Sequence, residues 1–278
     1  MYANAVRRSI PQTALYGIIL DHFTQAKGKT PKCLIIGFDG ARADALAHIL
    51  PVESGIQALL EGGGKACRMY AGGNRGSRQL TDTAPGWAAM LTGAWAKGPG
   101  GNGVTSNDLR KPAGTPNLVM TELLERGTAK KSTFIVSWKG HFANDAATYH
   151  YDILHAREKN LNAEWITREG DARVIRHTLD EIRAVHGADI VMAILEHCDS
   201  AGHGSGYGNR NPKYVEAFRA SDRAALDMIR AVEARPGYDS EDWLILITSD
   251  HGGIGTSHGS RRAACRRVFF VANKDVDM

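Results

Sequence analysis

Three uninterrupted apolar runs set the frame of the chain: Cys33 to Phe38, Ile190 to Leu195 and Trp243 to Thr248. Continuous rather than alternating apolar residues indicate strands covered on both faces, as in a parallel sheet. Ser132 to Ser137 and Arg267 to Ala272 read as two further strands. Between the strands the apolar period becomes helical. Ile166, Val174, Ile175, Leu179 and Ile182 keep that spacing within Glu164 to Val185, and Tyr214, Val215, Phe218, Ala225, Leu226 and Ile229 keep it within Pro212 to Ala234. Pro116 opens a shorter helix through Leu124 that Gly127 closes. Residues 1–32 read as a leading helical segment, with Arg7 and Arg8 ahead of the apolar patch Ala14 to Leu20. Gly98 to Gly103 is a glycine-rich loop, and the stretch near 138–165 reads as an insertion. Strand–helix alternation over most of the length predicts one α/β domain with a largely parallel sheet.

Composition narrows the classes. The 278 residues are 43% hydrophobic and 23% charged, an ordinary globular balance that can bury a full core without disulfide or metal staples. Thirty-four Lys and Arg against 30 Asp and Glu leave +4, too little to imply a nucleic-acid coat. Arg261-Arg262 and Arg266-Arg267 form the one basic cluster in the sequence, and a solvated face accounts for them. No nucleic-acid partner is expected beyond a possible substrate. No run approaches the ~20 apolar residues of a membrane helix, so no membrane partner is expected. Asp21 and His22 close the N-terminal patch with no small-residue cleavage site behind it. Cys33, Cys67, Cys198 and Cys265 form no CxxC pair. Reduced thiols and a cytoplasmic location are the expectation.

Candidate chemistry sits where the strands end. Acidic residues follow three of the apolar runs at once or within a few positions: Asp39, Asp199 and Asp250. Sites in parallel sheets form outside the carboxyl ends of the strands, so these three should converge. His203 follows Asp199 by four residues, His251 adjoins Asp250, and His258 lies seven further on. Taken singly, such an Asp is ordinarily a helix cap and such a His a hydrogen-bonded surface residue. Three carboxylates crowded together without cations would repel. Three Asp and three His are instead the ligand set of two divalent metals of the zinc type, and the nitrogen donors argue against calcium. Thr83 heads a short helical pattern, and a hydroxyl at a helix N-terminus lies in a setting that suits anions. That segment alone reads equally as a plain turn threonine.

Together these segments resemble the alkaline phosphatase superfamily, and most closely its type I phosphodiesterase/nucleotide pyrophosphatase branch. The matching pieces, in the family's order, are Gly37-Phe38-Asp39-Gly40, Thr83-Ala84-Pro85 with Leu91-Thr92-Gly93, Asp199-Ser200-Ala201-Gly202-His203, Ser249-Asp250-His251-Gly252-Gly253 and His258-Gly259. The resemblance spans residues 33–272 and implies a three-layer α/β/α catalytic domain over 33–278. It implies that Asp199, His203 and His258 hold one metal, and that Asp39, Asp250 and His251 hold the other with Thr83 beside it as nucleophile and ligand. Asn107 matches the asparagine that hydrogen-bonds a phosphoryl oxygen. The implied cofactors are two divalent ions, zinc or else manganese, and the implied partner is a small anionic phosphate ester. Asn102-Gly103 stands where relatives often have His-Gly, and Gly86 where many carry asparagine.

The implied activity is metal-dependent hydrolysis of phosphodiesters. A phosphomonoesterase, a phosphonate hydrolase and a catalytically silent phosphoanion-binding scaffold are the alternatives. Sulfatase chemistry fits poorly, because it needs Cys or Ser in a Cys/Ser-x-Pro-x-Arg setting and Thr83 leads to Trp87. Trp138, Lys139, His141 and Phe142 follow a strand and by position are candidates to line the pocket. Arg42 reads as a surface arginine, Cys198 as a buried inert thiol and Asp222 as structural. His150, His155 and His197 read as bystanders.

Overall fold

The computed structural model describes residues 9–276, so Arg7 and Arg8 lie outside the described residues. One eight-stranded sheet organises the chain, in the order β1-β3-β8-β7-β2-β6-β4-β5. The strands are β1 (Ser9–Pro11), β2 (Thr30–Phe38), β3 (Lys65–Tyr70), β4 (Ser132–Val136), β5 (Ala163–Thr167), β6 (Ile190–Leu195), β7 (Glu241–Thr248) and β8 (Arg267–Ala272). All neighbours pair parallel except β8, which runs antiparallel to both β3 and β7.

The three long apolar runs occupy the centre, where β2 pairs with β6 on one side and β7 on the other. Their side chains alternate between two cores, which is why the runs are apolar throughout. On one face Cys33 and Ile35 pack with Leu15, Trp87 and Leu123, from the helices Ala14–Gln25, Thr83–Thr92 and Val119–Glu125. On the other, Leu34, Ile36 and Phe38 pack with Val174, Phe218 and Ile56, from Asp171–Arg183, Pro212–Glu233 and Gly55–Glu61. The layers are helix, sheet, helix. Among the described residues no helix is long and apolar enough to cross a membrane, and all four cysteines are buried and outside any disulfide.

Three readings of the pattern change. Glu164 to Val185 is not one helix: Ala163–Thr167 is edge strand β5, and the helix starts at Asp171. Trp165 and Ile166 satisfy either period, and pairing with β4 decides for the strand. The stretch near 138–165 is the connection from β4 to β5, built round the helix His150–Glu158. The described part of the N-terminal segment is joined to the sheet, with β1 paired to β3 and Leu15, Ile19 and Phe23 in the core.

Candidate active site

The carboxyl ends of β2, β6 and β7 leave the sheet side by side, tied by the Asp39 N–H donating to the Leu195 carbonyl at 2.9 Å. Asp39 follows β2 directly and is fully buried, as are Asp250 and His251 beyond β7. After β6 the chain turns into the helix His197–Ser205, where Asp199 and His203 stand four apart on one face, 3.4 Å between Oδ2 and Nε2. Asp39, Asp199 and His251 present ligand atoms within 4.8 Å of one another, and so do Asp199, His203 and His258. Asp199 belongs to both groups. Asp250 joins through His251, with its Oδ2 3.4 Å from Nε2, while its Oδ1 accepts the Gly40 N–H at 3.1 Å.

Each histidine is oriented from behind. The Nδ1 of His203 donates to the Thr256 carbonyl at 3.0 Å and that of His251 to the Gly252 carbonyl at 3.0 Å. The Nδ1 of His258 donates to Asp82 Oδ1 at 2.8 Å. A carbonyl or carboxylate oxygen can only accept, so in the neutral rings all three Nε2 atoms carry lone pairs. Those lone pairs converge. The Nε2 atoms of His203 and His258 face each other at 3.1 Å, and that of His251 lies 3.4 Å from Asp39 Oδ1. Asp250 Oδ2 is buried without a hydrogen-bond donor. Convergent imidazole lone pairs and carboxylate oxygens fit divalent cations, and backing of each ring by an acceptor is how metal-binding imidazoles are held.

The electrostatics agree. Burial and then the neighbouring Asp199 charge push Asp39 up to about 8 in the absence of metal. Burial, followed by Asp39, raises Asp250 strongly. Burial and the neighbouring His258 lower His251 to about 4. Burial works against the charged form of His258, but the Asp82 bond and the Asp199 charge override it and raise its pKa. A fourth carboxyl, Glu196, is held up by burial and by Asp39, Asp199 and Asp171.

Thr83 is the first residue of the Thr83–Thr92 helix, behind an extended Asp82. Its Oγ1 lies 3.4 Å from Asp39 Oδ1 and 3.3 Å from His251 Nε2. Asn107 Oδ1 accepts the Ala84 N–H at 2.8 Å. Because that N–H demands an acceptor, the amide NH2 of Asn107 is left free as a donor. Gly86 has a packing reason: a Cβ there would stand 2.8 Å from the Asp250 Cβ. Gly37 likewise admits the Trp87 ring, whose Nε1–H donates to Asp39 Oδ2 at 3.0 Å. Asn102 is buried and ties its loop to the helix end, donating to the Ala94 carbonyl at 2.7 Å.

All eight candidate residues therefore meet at one edge of the sheet. Asp82, Trp87 and Tyr207, whose hydroxyl donates to Asp199 Oδ1, are additions that sequence reasoning missed. Asp82 and Trp87 flank Thr83 in the chain, which is their single signal; Tyr207 has none. Other candidates lie elsewhere. His141 is buried among Phe134, Trp138, Phe142 and Tyr149. His197 pairs with Asp171, His155 with Glu125 and His150 with Asp145. Asp222 accepts the Ile56 N–H at 2.9 Å. Arg42 pairs with Asp44 at 2.6 Å and is mostly buried.

The family profile described as type I phosphodiesterase / nucleotide pyrophosphatase matches residues 33–269. The chain belongs to that family. Similar solved structures have the same fold at low identity. An inactive form of murine ectonucleotide pyrophosphatase / phosphodiesterase 5, in complex with AMP, is 16% identical with a TM-score of 0.54, over 80% of this chain and 57% of that one. A 2-O GAG sulfatase is 13% identical with a TM-score of 0.58, over 88% and 64%. Alkaline phosphatase from the Antarctic bacterium TAB5 is 12% identical with a TM-score of 0.55, over 88% and 92%. This chain thus spans about three-fifths of the first two structures. No curated protein matches.

Proposed function

We propose that this chain hydrolyses phosphodiesters, with Thr83 as the nucleophile. The observation that carries the reading is the placement of Thr83 Oγ1 beside Asp39 and His251, at the head of a helix and next to a free amide donor on Asn107. Asp199, His203 and His258 would hold one divalent ion, and Asp39, Asp250, His251 and Thr83 a second; zinc suits the mixed nitrogen and oxygen donors. Such a pair of ions lowers the pKa of bound hydroxyls and offsets the charge of the attacking and leaving oxygens.

The residues of the chain do the positioning. The Asn107 NH2 donates to a non-bridging phosphoryl oxygen, and the first turn of the Thr83–Thr92 helix favours the anion electrostatically. Thr83 Oγ1 forms a bond to phosphorus as the bond to the leaving alcohol oxygen breaks, giving a threonine phosphoester. Water then attacks phosphorus, the bond to Thr83 Oγ1 breaks, and the hydroxyl returns to its starting state. Tyr207 and Asp82 hold Asp199 and His258 in place throughout. The complete set of ligand types argues against a silent scaffold on the same fold.

The test is hydrolysis of bis(p-nitrophenyl) phosphate by zinc-loaded protein. Wild type should turn over, and Thr83→Ala should lose at least about a thousandfold in kcat, with its zinc content unchanged within twofold. Thr83→Ala protein with wild-type activity overturns the assignment.

A further inference from the structure

The positive charge of this chain is concentrated on the two stretches that carry Asp82 and His258. The stretches 68–82 and 253–267 hold seven arginines (at positions 68, 75, 78, 261, 262, 266 and 267) and a single acidic residue, Asp82, which pairs with His258. The whole chain carries only +4, so these two stretches hold more than its entire excess and the remainder is slightly acidic. Sequence alone separates the two groups by some 180 positions. The fold puts them together.

Arg261 donates to the Asn74 and Gly73 carbonyls at 3.1 and 3.3 Å, and Arg266 to the Ala71 carbonyl at 3.0 Å. Thr81 Oγ1 donates to the Ser260 carbonyl at 2.8 Å, and the Gly259 N–H to the Thr81 carbonyl at 3.0 Å. The laced loops run straight into the site, one through Asp82 and Thr83, the other through His258. None of the seven arginines makes an ion pair with a carboxylate among the described residues, in contrast to Arg42, which Asp44 neutralises. Arg68, Arg75, Arg78, Arg262 and Arg267 are exposed. Arg68 and Arg267 line a cleft of about 360 Å³ with Arg42 and Asp44. Like charges gathered on joined loops, without counter-charges, cost the fold stability. Arg261 and Arg266 offset part of that by lacing the loops; the side chains of the other five make no hydrogen bond among the described residues.

We infer that this arginine rim selects phosphoesters bearing a second anionic group beyond the scissile phosphate. The inference rests on the proposed hydrolysis and adds to it the class of substrate. A rim of this kind concentrates polyanions at the mouth of the site and raises their rate of capture, an effect that salt screens. It binds the far charge equally in ground and transition states, so it acts on KM and leaves kcat alone.

The experiment compares two esters on zinc-loaded protein: p-nitrophenyl glycerol phosphate, and the same diester with a further phosphate on the glycerol. Wild type should favour the second by roughly tenfold in kcat/KM at low salt, through KM, with the advantage shrinking toward parity at high salt. The variant Arg75→Ser/Arg78→Asn/Arg262→Ser should lose that advantage with kcat and the rate on the first ester unchanged. Asn is chosen at 78 because that backbone has φ of 47°, a region Asn tolerates. Equal kcat/KM for the two esters in wild type overturns the inference, as does a variant that keeps the preference or loses kcat on both. Calorimetric titration of Thr83→Ala protein with the same esters separates the two levels of the argument. If wild type hydrolyses neither ester yet this protein binds the second more tightly, and the arginine substitutions abolish the difference, the hydrolytic reading fails and the charge selection stands. Should the substitutions instead abolish only adsorption to anionic lipid vesicles, the rim serves a membrane surface and the inference is rejected.

Discussion

Asp82 lies one position before Thr83 and is held by a partner 176 residues away. Its carboxylate fixes the tautomer of His258, so that Nε2 faces His203 with a lone pair. Removing a backing carboxylate of this type typically weakens metal affinity 10–100-fold. Asp82→Ala should therefore raise the dissociation constant for zinc by roughly that factor, measured by competition with a chromogenic chelator, and added zinc should restore most turnover. Unchanged affinity would show that the Thr256 and Gly252 carbonyls suffice to order the cluster. The clustered Asp and His side chains were legible because each acidic residue follows an apolar run, and strand ends are where such sites form. Asp82, Trp87 and Tyr207 were not, because their roles exist only across space. Trp87 and Asp39 are 48 positions apart, and nothing in either neighbourhood announces the bond.

At the level of elements, burial decides what the pattern reveals. β6 and β8 have the bounds that their apolar runs predict, and β2 and β7 start two or three residues earlier, at residues outside the apolar run. β3 carries exposed Lys65 and Arg68, and β5 is a half-buried edge strand, so neither shows a run to read. The loop that carries Asn107 is anchored by a device with no sequence signature. Lys111 Nζ donates to Asp152 Oδ1 at 2.8 Å with both side chains almost wholly buried, and the Lys111 N–H donates to the Thr148 carbonyl at 2.8 Å. Breaking a buried pair from one side strands a charge and costs about 3 kcal/mol, whereas replacing both partners with apolar groups is often neutral. Lys111→Met should thus lower the urea midpoint by that equivalent, and Lys111→Met/Asp152→Leu should recover most of it. Failure of the double variant to recover would mean that the loop depends on the charge itself.

For the molecule as a whole, the proposed metal binding and the fold would be linked through protons. An acid whose folded pKa is raised holds a proton that the unfolded chain has released, so stability falls as pH rises through that interval. For Asp39 the interval ends at about 8, with Asp250 shifted in the same direction. His251, lowered to about 4, acts with the opposite sign, but its contribution is complete by about pH 6.5, where the unfolded imidazole has lost its proton. His258, raised, loses its stabilising charge as pH rises and adds to the carboxyl effect. Metal-stripped protein should therefore melt at progressively lower temperature from about pH 6.5 to 8. Zinc-loaded protein should not, since the cations take the place of the protons. Parallel melting curves for both forms across that range would refute the linkage.

The central position of β2 has a consequence for how the protein comes into being. Its partners β6 and β7 lie about 160 and 210 residues downstream, so the first acidic residue of the cluster waits for most of the chain. Pairings of such sequence separation close late, after local helices have formed. A chain emerging from the ribosome cannot assemble the cluster until His258 is out, and a folding intermediate lacking the β2–β7 pairing exposes only part of it. On the proposed two-ion reading, ion capture would be the closing act of biogenesis, out of reach of a truncated product.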